Sequence, residues 1–200
     1  MKQLMKKMKK RKLLSLMFLL NIIGIICGFL FISILSTENK DIIGLSVRGV
    51  FDTIFNNTYI YKDVLIKSLL SNLILCIFIW LLGISIVGVF ILCCILFFKS
   101  FMISFTFVSI LYTFKFNGLF LGFIYVIPYI LNLFIDFILI YYALSFSKTL
   151  FNYFFRNREC NRRMFIKRYV ILLIISCLLL IFSSLIETFL IPFFIKLINL

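Results

Sequence analysis

From Trp80 to Phe155 the chain runs for 76 residues with only four charges, Lys99, Lys115, Asp136 and Lys148. A bilayer crossing needs about 20 consecutive apolar residues, and no water-soluble fold requires so long an apolar run. The isolated lysines read as punctuation between crossings. The expected class is an all-α membrane protein with about five transmembrane helices.

Composition narrows the function classes. The 200 residues are 64% hydrophobic, against about 45–50% for soluble domains. They leave room for one membrane bundle and a modest extramembrane loop, and none for a separate catalytic domain. The net charge of +14 comes from bases clustered beside apolar segments. That pattern fits the positive-inside rule and attraction to membrane lipids rather than nucleic acid binding. The chain has no histidine, which excludes Ser-His and Cys-His mechanisms and leaves too few ligands for a zinc site. Cys27, Cys76, Cys93, Cys94 and Cys177 lie inside apolar segments, where thiols behave as small hydrophobes, and Cys160 stands alone in a basic loop. Neither a disulfide framework nor a metal or other cofactor is expected.

Residues 1–12 hold seven Lys/Arg and precede an apolar run over 13–35. The run is longer than a signal-peptide core of about 7–15 residues and lacks its cleavage pattern, so it reads as an uncleaved anchor with a cytoplasmic N-terminus. Gly24 and Gly28 form a G-x-x-x-G in it, suited to close helix approach. Residues 36–69 are polar and read as an extracytoplasmic loop. Within it Ile43, Val47, Val50 and Ile54 repeat as one stripe of an amphipathic helix. Such a helix either lies on the bundle or offers a docking surface to a partner.

From Ser68 to Phe98 there is no charge, about 46 Å of helix against a hydrocarbon core of about 30 Å. The segment must tilt, bend or protrude, and Gly83, Ser85 and Gly88 mark the place for a bend or a close contact. Residues 152–168 hold six bases against one acid and should be cytoplasmic. An even number of crossings must then separate them from the N-terminus, so the short segment after Lys99 has to cross. The expected spans are 13–35, 70–96, 100–115, 118–146 and 169–192, with a basic cytoplasmic loop over 147–168 and an extracytoplasmic C-terminus.

Ionisable groups inside spans are costly and each asks for a partner. Tyr125, Tyr129, Asn132 and Asp136 form one polar stripe beside Pro128, and Ser176, Ser183 and Glu187 form another near Pro192. They serve either interhelical hydrogen bonding or a proton or ion path. Counting about 1.5 Å per residue, Asp136 and Glu187 differ by about 10 Å in depth, with Glu187 nearer Tyr129. A carboxylate dyad is therefore not expected. Gly118 and Gly122 form a second G-x-x-x-G, which could pack on the first helix.

The segments IWLLGISIVG (79–88), FFKSFMISFTF (97–107), IPYILNLFIDF (127–137), YALSFSKTL (142–150) and SLIETFLIP (184–192) resemble, in order and spacing, the stage II sporulation protein M family. Relatives often place a histidine where this chain has Tyr129. The resemblance implies a role in forespore engulfment in endospore-forming bacteria, in the mother-cell membrane at the sporulation septum. It implies a non-enzymatic scaffold whose partners are two peptidoglycan hydrolases, a stage II sporulation protein D-like lytic transglycosylase and a protein P-like amidase or endopeptidase. The residues expected to pack helices or bind partners are Gly24, Gly28, Gly83, Gly88, Gly118, Gly122, Pro128, Asn132, Asp136 and Glu187. The alternative is a transporter or permease subunit with a polar path at Asn132 and Asp136.

Overall fold

The computed structural model describes residues 2–56, 58–85, 87–156 and 162–198, with side chains over 12–151, apart from 57 and 86, and over 166–197. The basic side chains before Lys12, most of those in the expected loop over 147–168, and Cys160 lie outside the described residues. Five helices follow one another: α1 (Lys2–Ile34), α2 (Thr37–Phe55), α3 (Tyr61–Leu82), α4 (Gly88–Arg156) and α5 (Arg162–Ile198). All except α2 are long and apolar enough to cross a membrane. The helix is the natural choice for such sequence, because hydrocarbon offers backbone N–H and C=O groups no partner outside the chain.

Helix α4 is a hairpin. Its only residue with non-helical dihedrals is Lys115, at φ 52° and ψ −125°. The arms 88–114 and 116–156 fold back on each other, with Phe107 against Phe123 (ring centroids 5.3 Å apart) and Lys99 paired with Asp136. The helix continues through Pro128. With this fold the chain has five apolar rods, the number expected, but their division differs. The charge-free segment over 68–98 bends in the region that Gly83, Ser85 and Gly88 mark, and the bend is a full reversal between Leu82 of α3 and Gly88 of α4 rather than a bend within one helix over 70–96. The third rod is therefore 88–114 rather than 100–115. Lys99 lies within it, not between crossings.

Contacts fix the relative directions. Gly24 faces Phe97 and Ser100, and Gly28 faces Phe101 and Ser104, so α1 runs parallel to the first arm of α4. Ser68, Asn72, Cys76 and Trp80 meet Glu187, Ser184, Cys177 and Tyr169 in turn, so α3 and α5 are antiparallel. The reversal at 83–87 is closed by an aromatic stack. Tyr169 lies on Phe146 (4.1 Å) and Trp80 (5.4 Å), and its hydroxyl donates to the Trp80 carbonyl at 2.8 Å. A Cβ on Gly83 would sit 2.7 Å from that of Ala143, so only glycine allows this approach.

The main core gathers Met17 of α1, Cys76 and Ile79 of α3, Leu92, Leu96, Leu139 and Ile140 of α4, and Leu180 of α5. Large apolar side chains such as Phe90, Leu178, Phe182 and Phe193 are exposed on the outside, as a lipid-facing surface requires. Several hydroxyls inside the rods are satisfied locally: Ser109, Thr113, Ser145, Thr149 and Thr188 each donate to the carbonyl four residues earlier at 2.7–2.9 Å.

Helix α2 lies across the Lys115 end of the bundle. It buries Gly44, Phe51 and Ile54 against α4 and α5, with Phe51 meeting Phe114 edge-to-face at 4.9 Å. The buried stripe is thus rotated slightly from the one read in the sequence. Phe51 replaces Val50, which is 47% exposed.

Two outcomes check this fold. The Sγ atoms of Cys76 and Cys177 are 3.9 Å apart. In a variant retaining only these two cysteines, iodine oxidation should remove both thiols from alkylation under denaturing conditions without forming a dimer; two alkylated thiols would contradict the α3–α5 pairing. Lys115 occupies a backbone region that favours glycine. Lys115→Gly should raise stability in detergent unfolding by about 1 kcal/mol, whereas a decrease would contradict the hairpin geometry.

Candidate functional site

The small residues singled out in the sequence sit at helix contacts. A Cβ on Gly24 would approach the Phe97 carbonyl oxygen to 2.7 Å, and one on Gly28 that of Phe101 to 2.5 Å. Opposite them Ser100 and Ser104 repeat at the same spacing, so α1 and α4 meet small face to small face. The Ser100 hydroxyl also lies 2.5 Å from the Asn21 side-chain oxygen and 2.9 Å from the Leu96 carbonyl, its one hydrogen directed to either acceptor. Gly118 and Gly122 do not reach α1. A Cβ on Gly118 would strike the Ile110 carbonyl oxygen at 2.6 Å, and one on Gly122 the Phe107 ring at 3.0 Å. Their small faces serve the α4 hairpin, because Lys115 alone joins its arms and brings them together at once. Gly88 lies against Leu82 across the reversal.

The polar stripe on α4 divides into two. Its deeper half, Asn132 and Asp136, is almost fully buried at 3% and 1% exposure. Asp136 accepts from Lys99 of the other arm. The second carboxylate oxygen of Asp136 and the side-chain oxygen of Asn132 have no hydrogen-bond partner among the described residues. The pairing explains why two charges tolerate this depth: each supplies the counter-charge that lipid cannot. Sequence reading missed Lys99 because a lone lysine between apolar runs looks like a loop.

The upper half, Tyr125 and Tyr129, opens on a cleft of about 800 Å³ bounded by α2, the 58–60 segment, α3, α4 and α5. Tyr129 donates to Tyr125 at 3.3 Å, and their rings stack at 5.3 Å. Glu187 faces the same cleft and accepts from Ser68 at 2.5 Å. Asn72 bridges the helices by donating to Ser68 at 3.4 Å and Ser184 at 3.2 Å. Glu187 therefore lies near Tyr129 and shares no partner with Asp136. The second stripe keeps its burial: Ser176, Ser183 and Ser184 are all inside, and Ser183 donates to the Pro128 carbonyl at 3.4 Å. Ser68 and Asn72 were missed, although their four-residue spacing at the start of an apolar run was the available signal. In the segment before α3, burial and the nearby Glu187 push the Tyr59 hydroxyl up to about 12, so the phenol stays neutral and available as a donor.

Among the described residues no group of three His, Cys, Asp or Glu could hold a metal ion. The geometry offers a helix bundle tied internally by polar clusters, with one open polar cleft at the end where α2 lies. The sequence model of Stage II sporulation protein M matches residues 15–192. The chain belongs to that family. It is accordingly a sporulation-related membrane protein, and the match extends from the first apolar helix through Pro192 of the last. Among curated proteins and among solved structures, none matches significantly.

The ion pair yields a double-variant prediction. Lys99→Met or Asp136→Leu alone leaves one unpaired charge and should lower stability by about 3–5 kcal/mol, while the two together should recover most of the loss. The measurement is thermal unfolding of the purified protein in detergent. Additive losses would mean that the two side chains do not interact.

Proposed function

We propose that this protein is a non-enzymatic membrane scaffold of the sporulation engulfment machinery. In this reading it stands in the mother-cell membrane at the septum and holds peptidoglycan hydrolases, a protein D-like lytic transglycosylase and a protein P-like amidase or endopeptidase, against the wall. The observation that carries the reading is the family match over nearly the whole chain.

The placement of α2 supports it. One side of this helix is anchored by Phe51 and Ile54, while Glu38, Asp41, Arg48 and Asp52 on its remaining surface are exposed, together with Ile42 and Leu45. A mixed charged and apolar surface held rigidly at one end of a bundle suits a soluble domain approaching from that side. The internal packing of Gly24, Gly28, Gly118 and Gly122 moves the proposed docking surface away from the glycine faces and onto α2. The bases of residues 1–12 and 152–168 favour a cytoplasmic side for those segments by the positive-inside rule, which in this reading leaves α2 facing outward.

The test is affinity purification of the tagged protein from sporulating cells in mild detergent, read by mass spectrometry. Both wall hydrolases should be recovered. Reversing Arg48 and Asp52 together, as Arg48→Glu with Asp52→Lys, should reduce their recovery several-fold at unchanged membrane levels of the scaffold. Recovery of nucleotide-binding or other transport subunits in their place would overturn the proposal and favour a permease.

A further inference from the structure

We propose that the cleft beside α2 binds the headgroup of an aminophospholipid, Glu187 taking its ammonium group and an adjoining apolar groove taking an acyl chain. This goes beyond the scaffold reading and stands without it.

Charge points to a cationic group. The charged residues lining the cleft are Glu187, Asp63 and Lys67, a net negative set. Ser68 satisfies one oxygen of Glu187, and among the described residues no lysine or arginine lies within 4.0 Å of it. A carboxylate at the edge of hydrocarbon gains from a bound counter-cation with N–H donors, since charge-assisted hydrogen bonds are the strong ones. The stacked rings of Tyr125 and Tyr129 add hydroxyl acceptors and π faces that favour a cation. Lys67, on the same lining, provides the complementary charge for a phosphate.

The surroundings point to an amphiphile rather than a soluble amine. A groove of about 880 Å³ runs along the lipid-facing side of α5, lined by Tyr61, Leu185, Phe189, Leu190 and Phe193 among others. Tyr59 of the polar cleft and Tyr61 of the groove are in ring contact at 5.1 Å, and Tyr61 stacks on Phe189 at 5.8 Å. The two sites therefore share an aromatic wall, a polar chamber on one side and an apolar trough on the other. Tyrosines at such a boundary are typical of the headgroup level of a bilayer. A phosphate, an amine and a chain are the three chemistries this arrangement accommodates.

The test is native mass spectrometry of the full-length protein, released from nanodiscs containing equal amounts of phosphatidylethanolamine, phosphatidylcholine and phosphatidylglycerol. Phosphatidylethanolamine should be retained about tenfold over phosphatidylglycerol, the factor for one charge-assisted contact. Phosphatidylcholine, charged but without N–H donors, should fall between them. Glu187→Gln should erase the ranking, and Tyr129→Phe should weaken it. If Glu187→Gln does not fold, the ranking of the wild-type protein decides alone. Equal retention of the three lipids, or a ranking that survives Glu187→Gln, overturns the proposal. Displacement of the lipid by O-phosphoethanolamine at matched concentration would overturn the role of the groove.

Discussion

A polar atom inside hydrocarbon has to find its partner within the protein, and the arrangement of this bundle follows from that requirement. The clearest instance is Lys99 with Asp136, two charges on opposite arms of α4 that neither could carry alone into the membrane. Their pairing is in register with the hairpin that Lys115 closes. The register places Gly122 against Phe107 and leaves Tyr125 and Tyr129 facing the α3–α5 side. Smaller polar ties do the same elsewhere. Asn72 and Ser68 hold α3 to α5, Ser100 holds α4 to Asn21 of α1, and Tyr169 closes the reversal after Trp80. Apolar packing fills the space between these ties. It contributes little direction of its own, because lipid is as apolar as the side chains that face it.

The polar residues also sort by depth into structural and open groups. Asn132 and Asp136 are enclosed, whereas Tyr129 and Glu187, a turn or two closer to α2, border a cleft. A single stripe on one helix thus serves two purposes along its length. The helical repeat aligns its members on one face, but the neighbours met at each level decide what each member does.

Much of this was legible in the sequence, and the parts that were not share a cause. Helix class, the five apolar rods, the amphipathic helix before α3 and the nearness of Glu187 to Tyr129 follow from residue types and periodicity alone. Gly83, Ser85 and Gly88 mark a bend in the sequence but do not show that it is a full reversal, because charge is the usual sequence marker of a membrane boundary. At Lys99 the charge is neutralised by a residue 37 positions away, and such a partner is invisible to local reading. The true boundary at 83–87 carries no charge; it is marked by Gly83 and Gly88, whose meaning as a complete turn depends on Tyr169 and Ala143 arriving from distant segments. The same cause rotated the buried face of α2, where Val50 and Phe51 are both apolar neighbours and the distant cluster around Phe114 and Tyr125 selects between them.

The single-residue link at Lys115 also bears on how the protein enters its membrane. With one residue between them, the arms of α4 are suited to enter the bilayer as a hairpin, in which Lys99 has Asp136 at its side. The tight connection converts two separate charge-burial steps into the transfer of one neutral pair.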